Sequence, residues 1–62
     1  MERCDVILYL SSEMQPVKVS NVITWDFVEH QGKGWIMVKT LLTYRYFDAS
    51  DVLRLIIEEH GV

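Results

Sequence analysis

The chain has few of the residues that cross-link small proteins or form their turns. It contains one cysteine, one proline and three glycines among 62 residues. Because Cys4 has no second cysteine to pair with, a disulfide within the chain is excluded. A lone thiol is typical of a reducing intracellular setting, so we expect a cytoplasmic protein. The longest early apolar run covers only residues 6–10, whereas a membrane span needs about 20 apolar residues, so no membrane partner is expected.

The chain also lacks a basic cluster. Its net charge is −3, and residues 1–47 contribute nothing to it, because five cationic and five acidic side chains cancel there. Residues 48–62 carry four acidic side chains against Arg54, which accounts for the whole excess. Proteins that bind nucleic acid normally show a clustered basic surface. The sequence therefore disfavours nucleic acid and favours a partner protein with a basic surface.

No constellation of catalytic or metal-binding residues is visible. Glu29 and His30 are adjacent, so in a strand their side chains point to opposite faces. Cys4, His30 and His60 show no spacing typical of metal ligands. The glycines at positions 32 and 34 match no phosphate-binding fingerprint. We therefore expect a protein that is not an enzyme and that holds neither a metal nor another cofactor.

Two segments of alternating hydrophobicity flank the stretch Gln31–Gly34 and predict a long β-hairpin. The apolar residues fall on odd numbers before the turn and on even numbers after it: Val17, Val19, Ile23, Trp25 and Phe27, then Ile36, Val38, Leu42, Tyr44 and Tyr46. A two-residue turn at Gly32-Lys33 would place Phe27 opposite Val38 and put both sets on one face. Asn21 interrupts the pattern, which predicts a β-bulge at Ser20-Asn21.

The remaining segments complete the predicted fold. Residues Cys4 to Leu10 read as a strand with apolar side chains on both faces, which indicates a strand covered from both sides. After Asp48, a capping residue, apolar residues at helical spacing and Gly61 predict a C-terminal helix. The run 52–57 also fits a strand, and periodicity alone does not separate the two. We expect a single α+β domain over residues 1–62, a three-stranded antiparallel sheet with a long hairpin and a C-terminal helix. The alternative is an all-β four-stranded meander or small barrel.

The chain has more apolar surface than a domain of this size can bury. Half of its residues are hydrophobic, yet a chain of about 60 residues buries only about 60% of its unfolded surface. The second face of the predicted sheet would then be an interface, formed by Val22, Val28, Trp35, Met37 and Leu41. This predicts a homo-oligomer, in the simplest case a dimer.

A second surface is predicted on the C-terminal helix. Its acidic face would bind a basic site on another protein, and its residues are Asp48, Asp51, Glu58 and Glu59. Together these features predict a non-enzymatic protein-interaction module, such as a small regulator or inhibitor of phage or bacterial type. The alternative is a small barrel that binds single-stranded nucleic acid by stacking bases on aromatic side chains such as Trp35 and Tyr44.

Overall fold

The computed structural model describes residues 3–59, which form six β-strands and one short 3₁₀ turn. The elements are β1 (Cys4–Leu10), β2 (Val17–Val22), β3 (Thr24–His30), β4 (Lys33–Lys39), β5 (Tyr44–Asp48), the 3₁₀ turn (Ala49–Asp51) and β6 (Val52–Glu59). They make two three-stranded antiparallel sheets. Sheet A has the order β2-β1-β6, and sheet B has the order β3-β4-β5.

The predicted α+β class is wrong, because the C-terminal segment is a strand. Asp48 does cap a helical turn, accepting a hydrogen bond from the Ser50 N–H at 3.0 Å, but that turn ends after three residues. The chain is extended over Val52–Glu59, and β6 pairs along its length with β1. Alternate residues Leu55 and Ile57 pack against the core, which a strand achieves with period two. His60 and Gly61, which belonged to the predicted helix, lie outside the described residues.

The all-β alternative has the right class and the wrong topology. It predicted a four-stranded meander, in which the last strand lies beside the one before it. The structure instead has six strands in two sheets, and β6 lies beside β1. Because β1 therefore has partners on both sides, it is the central strand of sheet A. Its predicted bounds, Cys4 to Leu10, are confirmed.

The hairpin is confirmed only over β3 and β4, and its turn lies one residue earlier than predicted. His30 pairs with Lys33, so the two turn residues are Gln31 and Gly32. Their φ angles are 52° and 76°, and two positive φ values are typical of a type I′ turn. Phe27 consequently faces Ile36 and not Val38. This shift moves the pairing by two residues, so each strand keeps the same face toward the core.

A β-bulge interrupts the first half of the predicted hairpin, as the sequence indicated. Val6 pairs with Val19 and Cys4 with Val22, so Ser20 and Asn21 together oppose a single residue of β1. Asn21 has a φ of 58°, and its N–H donates to Asp5 Oδ1 at 3.1 Å. Beyond this bulge the chain leaves sheet A and enters sheet B as β3. The segment predicted as one long strand therefore serves two sheets.

A tight turn at residues 40–43 interrupts the second half. The Thr40 N–H donates to the Thr43 carbonyl at 2.9 Å. Across this turn Val38 pairs with Arg45, so even positions on β4 share a face with odd positions on β5. The prediction that Tyr44 and Tyr46 share a face with Val38 is wrong, because the turn directs both tyrosines to the opposite face, where they are more than half exposed.

The core is small and lies between the two sheets. Among residues 3–59, six hydrophobic side chains are buried, namely Val6, Leu8, Val19 and Val22 from sheet A and Val38 and Phe47 from sheet B. The Cα atoms extend over 37 × 26 × 16 Å, so the molecule is thin in one direction. One layer of core side chains is all that this thickness holds.

Candidate interaction surface

Aromatic and aliphatic side chains meet outside the core on the outer face of sheet B. Val38 and Phe47 point into the core, so their neighbours along β4 and β5 point outward. Pairing aligns Asp26, Met37 and Tyr46 in one row across the sheet. The outer face as we define it comprises Thr24, Asp26, Val28 and His30 from β3, Lys33, Trp35, Met37 and Lys39 from β4, and Tyr44, Tyr46 and Asp48 from β5.

A cleft of about 500 Å³ lies on this outer face. It is lined by Val28, Glu29, His30, Trp35, Met37 and Tyr46. Val28, Trp35 and Met37 are half-buried, whereas Tyr46 is 58% exposed. Aromatic residues and methionine are enriched in the centres of protein interfaces, because they bury a large area with few polar atoms. The cleft is therefore suited to an apolar side chain of a partner.

The structure brings together three of the five predicted interface residues. Val28, Trp35 and Met37 all line the cleft. The placement of Val22 on a surface is wrong, since Val22 is 0% exposed. The bulge at Ser20-Asn21 turns its side chain into the core. Leu41 is 62% exposed, but it lies in the turn between β4 and β5 and not on the outer face.

Sequence reasoning missed Tyr46 as a residue of the cleft. Alternation predicts that Tyr46 shares a face with Ile36 and Val38, because all three have even numbers. The signal that would have corrected this is the break at residues 40–43, where Thr40 Oγ1 accepts hydrogen bonds from the N–H groups of Leu42 and Thr43. Threonine at the first position of a turn is a weak turn signal, and neither glycine nor proline strengthens it here.

An ion pair borders the cleft at the start of β4, next to the turn Gln31-Gly32. Lys33 Nζ lies 2.9 Å from Asp48 Oδ2 and 4.6 Å from the centre of the Trp35 ring. Hydrogen bonds from Lys33 and, next, from Ser50 lower the pKa of Asp48 to about 2. Lys33 and Asp48 thus neutralise each other beside the cleft.

The four predicted acidic residues do not form one face. The helix that would have aligned them does not exist, and they fall in two separate places. Asp51 accepts hydrogen bonds from the hydroxyls of Ser11 and Ser12, and from the Ser12 N–H at 3.1 Å. These bonds, with Ser11 first, lower the pKa of Asp51. Asp51 therefore ties the loop after β1 to the 3₁₀ turn.

The other two acids lie at the end of β6. Glu58 pairs with Asp5 and Glu59 with Cys4. As neighbours on a strand, the two glutamates point to opposite faces. The arrangement therefore gives no continuous acidic surface from the four residues.

The remaining chemistry-bearing groups are dispersed. Within residues 3–59 no three His, Cys, Asp or Glu side chains are grouped so that they could hold a metal ion. Cys4 Sγ lies 3.8 Å from the Val22 carbonyl oxygen. Burial, followed by the charges of Asp5 and Glu59, raises the pKa of the Cys4 thiol, which keeps it protonated and weakly nucleophilic. Glu29 and His30 both border the cleft, but as neighbours on β3 their side chains point to opposite faces.

Comparison with known proteins yields no relative. No protein-family model matches the chain, and neither a curated protein nor a solved structure matches it. Among residues 3–59 there is no helix with the length and apolar character that crossing a membrane requires.

Proposed function

We propose that this chain is a non-enzymatic protein-interaction module that self-associates through the outer face of sheet B. The observation that carries the proposal is the cleft formed by Val28, Trp35, Met37 and Tyr46. These side chains come from all three strands of a hydrogen-bonded sheet, so their relative positions are fixed before any partner binds. A preformed apolar site loses little conformational entropy on association.

The small core supports association as the source of further stability. Domains of this size rarely gain enough stability from one core and are commonly helped by disulfides, metal or oligomerisation. Cys4 has no partner cysteine in the chain, and Tyr44 and Tyr46 of the outer face are more than half exposed. Covering part of this apolar surface with a second copy supplies the missing burial.

The charges of the outer face favour a protein partner over nucleic acid. Asp26 and Asp48 share the face with Lys33 and Lys39, so the formal charges cancel. Lys39 Nζ lies 5.2 Å from the centre of the Tyr44 ring, which places a cation beside an aromatic side chain, as a base-stacking surface would. A phosphate backbone would nevertheless meet Asp26 and Asp48 on the same sheet. A role as a small regulator or inhibitor remains a prediction.

The test is the absolute mass in solution, measured by size-exclusion chromatography with light scattering over a wide concentration range. We expect the wild-type protein to show a multiple of 7.3 kDa and Met37→Asp to show the monomer mass, because a carboxylate in the cleft would be buried unpaired. Leu53→Asp is the matched control. Leu53 is an exposed apolar residue (71%) on sheet A, and its replacement should leave the mass unchanged. A wild-type monomer at every concentration would refute the proposal.

A further inference from the structure

Strand β3 leaves one side of its backbone unpaired. In the described part of the chain it is hydrogen-bonded only to β4, so its other side is an edge of sheet B. The turn at residues 31–32 joins the carbonyl of His30 to the N–H of Lys33, which makes these two residues a hydrogen-bonded pair. Such pairs alternate along antiparallel strands. The N–H and C=O groups of Trp25, Phe27 and Glu29 therefore point away from β4, toward the free edge.

The amide of Phe27 shows this direction. Its N–H donates to Oδ1 of the preceding residue, Asp26, at 2.8 Å. A buried or paired strand amide bonds a neighbouring strand, whereas this one uses the side chain beside it. The Phe27 ring lies over Gly34 of β4, where an added Cβ atom would clash with it. A carbonyl group of a partner strand therefore reaches the Phe27 N–H by displacing only the Asp26 carboxylate.

The other edge strands carry features that hinder pairing with a further strand. Natural edges are protected by bulges, by lysine and by short length. β2 contains Lys18 and the bulge at Ser20-Asn21, and the register of β6 against β1 shifts between Val52 and Arg54. β5 has only five residues. β3 has none of these features, since it contains no lysine and its register with β4 is regular over seven residues.

The charges of β3 indicate which kind of strand would pair with it. With histidine neutral, its charged side chains are Asp26 on the outer face and Glu29 on the opposite face. Within residues 3–59 neither carboxylate belongs to an ion pair. The two lysines of the outer face lie toward β5 instead. Lys33 forms its ion pair with a β5 carboxylate, and Lys39 Nζ lies 5.2 Å from the centre of a β5 tyrosine ring.

The chain has six lysine and arginine side chains, and the other four do not neutralise this edge either. Lys18 is paired with a carboxylate of β1, and Arg45 and Arg54 lie over aromatic rings. Arg3 lines a hollow near the start of β3, and Glu59 lines the same hollow. A second copy of β3 would bring two further carboxylates to the edge, whereas a basic segment would neutralise those already there.

We infer that β3 accepts an extended, basic segment of a partner protein as a fourth strand of sheet B. In antiparallel pairing along the whole of β3, the free N–H and C=O groups of Trp25, Phe27 and Glu29 bond the backbone of that segment. Cations opposite Asp26 and Glu29 form cross-strand pairs on both faces. When a partner carbonyl takes the Phe27 N–H, the Asp26 carboxylate is released to its cation. This contact goes beyond the proposed self-association, because it uses the edge of sheet B and not its outer face.

The probe is a synthetic heptapeptide with blocked ends and the sequence threonine-lysine-valine-phenylalanine-lysine-valine-threonine. Paired antiparallel to residues 24–30, it places one lysine opposite Glu29 and the other opposite Asp26. The peptide is titrated into nitrogen-15-labelled protein, and the backbone amide signals are followed by NMR. We expect the largest shifts at the amides of Trp25, Phe27 and Glu29, because their N–H groups face the edge.

Two further peptides and two variants are the controls. Glutamates in place of both lysines test the charge, and N-methyl groups at the second, fourth and sixth residues remove the peptide N–H groups that face β3. We expect each change to weaken binding about tenfold. Asp26→Asn with Glu29→Gln should weaken binding of the lysine peptide by a similar factor. Glu13→Gln with Glu58→Gln makes the same charge change at exposed positions elsewhere and should leave binding unchanged.

The outcomes distinguish the edge of β3 from the other surfaces. Shifts centred on Trp35 and Met37, equal binding of the N-methylated peptide, or no shift at millimolar peptide would each overturn the inference. Hydrogen exchange of the Phe27 amide that slows with protein concentration, without peptide, would assign the edge to a second copy and would also overturn it. If the wild type is monomeric and binds the lysine peptide through the three edge amides, the proposed function fails and this inference stands.

Discussion

At the scale of single residues, Leu8 and Leu42 show how differently one side chain type is used in this molecule. Leu8 is fully buried between the two sheets, whereas Leu42 is almost wholly exposed at a turn. Truncating a buried leucine to alanine removes apolar contacts and leaves a cavity. Truncating an exposed leucine changes little in the folded monomer.

We therefore predict that Leu8→Ala lowers the free energy of unfolding by about 2–5 kcal/mol and that Leu42→Ala changes it by less than about 0.5 kcal/mol. Urea unfolding at low protein concentration measures both values with little contribution from association. Because a chain of this size has a total stability of roughly 3–9 kcal/mol, Leu8→Ala is expected to be partly unfolded in water. Equal losses of unfolding free energy in the two variants would contradict the burial of Leu8 and the exposure of Leu42.

Asp48 gives a prediction for acid pH. Its pKa in the folded protein is about 2, below the ordinary value of 3.8, because Lys33 and then Ser50 donate hydrogen bonds to the carboxylate. A group with a depressed folded pKa stabilises the folded state above its unfolded pKa, and that contribution disappears as the pH falls through the folded pKa. The contribution of Asp48 is thus complete above about pH 4 and is lost toward pH 2.

The measurement is a carbon-13 NMR titration of the Asp48 carboxyl group in the wild type and in Lys33→Met. We expect the Lys33→Met midpoint to move up part of the way to 3.8, since the bonds from Ser50 remain. Ser50→Ala is the companion variant and should give a smaller rise, as its hydroxyl is the second contributor. An unchanged midpoint in Lys33→Met would show that the ion pair does not hold in solution.

At the scale of secondary-structure elements, the turn Gln31-Gly32 is formed with an unfavourable first residue. Gln31 has a φ of 52°, in the left-handed region that disfavours residues with a side chain. Asparagine tolerates this region, and Asn-Gly is the preferred pair for a type I′ turn. Gln31→Asn should therefore raise the free energy of unfolding by about 0.5–1 kcal/mol. Thermal unfolding checks this, and Gly32→Ala, at a φ of 76°, should lower stability in the same assay.

The elements that the sequence predicts well are those with local signals. The bounds of β1, the bulge at Ser20-Asn21 and the shared face of the hairpin strands all follow from alternation. The turn at residues 40–43 could not be found this way, because Leu41 and Leu42 continue the apolar pattern. Leucine and isoleucine in residues 52–57 satisfy both the helical and the strand period, and only the pairing with β1 decides between them.

The residues of the candidate surface could also be predicted only where the sequence carries a local signal. Val28, Trp35 and Met37 could be grouped from alternation on two adjacent strands. Tyr46 joins them only because the turn before β5 reverses its face, and Val22 leaves them only because the bulge rotates it inward. Each error comes from a local change of parity that hydrophobic pattern alone does not reveal.

At the scale of the whole molecule, the stability of a layer 16 Å thick depends on what covers its surfaces, because residues 3–59 bury only six hydrophobic side chains. Association stabilises the folded state by mass action, which makes the unfolding temperature depend on protein concentration. We predict that the unfolding temperature of the wild type rises with concentration in differential scanning fluorimetry and that the unfolding temperature of Met37→Asp does not. If the unfolding temperature of the wild type did not change with protein concentration, the monomer would be stable alone.

The pairing of β1 with β6 also determines how the molecule responds to mechanical load. Cys4 pairs with Glu59, so the beginning of β1 and the end of β6 are neighbours on antiparallel strands. The hydrogen bonds between such strands run perpendicular to them. A force that separates these two points therefore breaks the hydrogen bonds between β1 and β6 one after another. Sheet B, formed by residues 24–48, carries none of that force while β6 is still paired with β1.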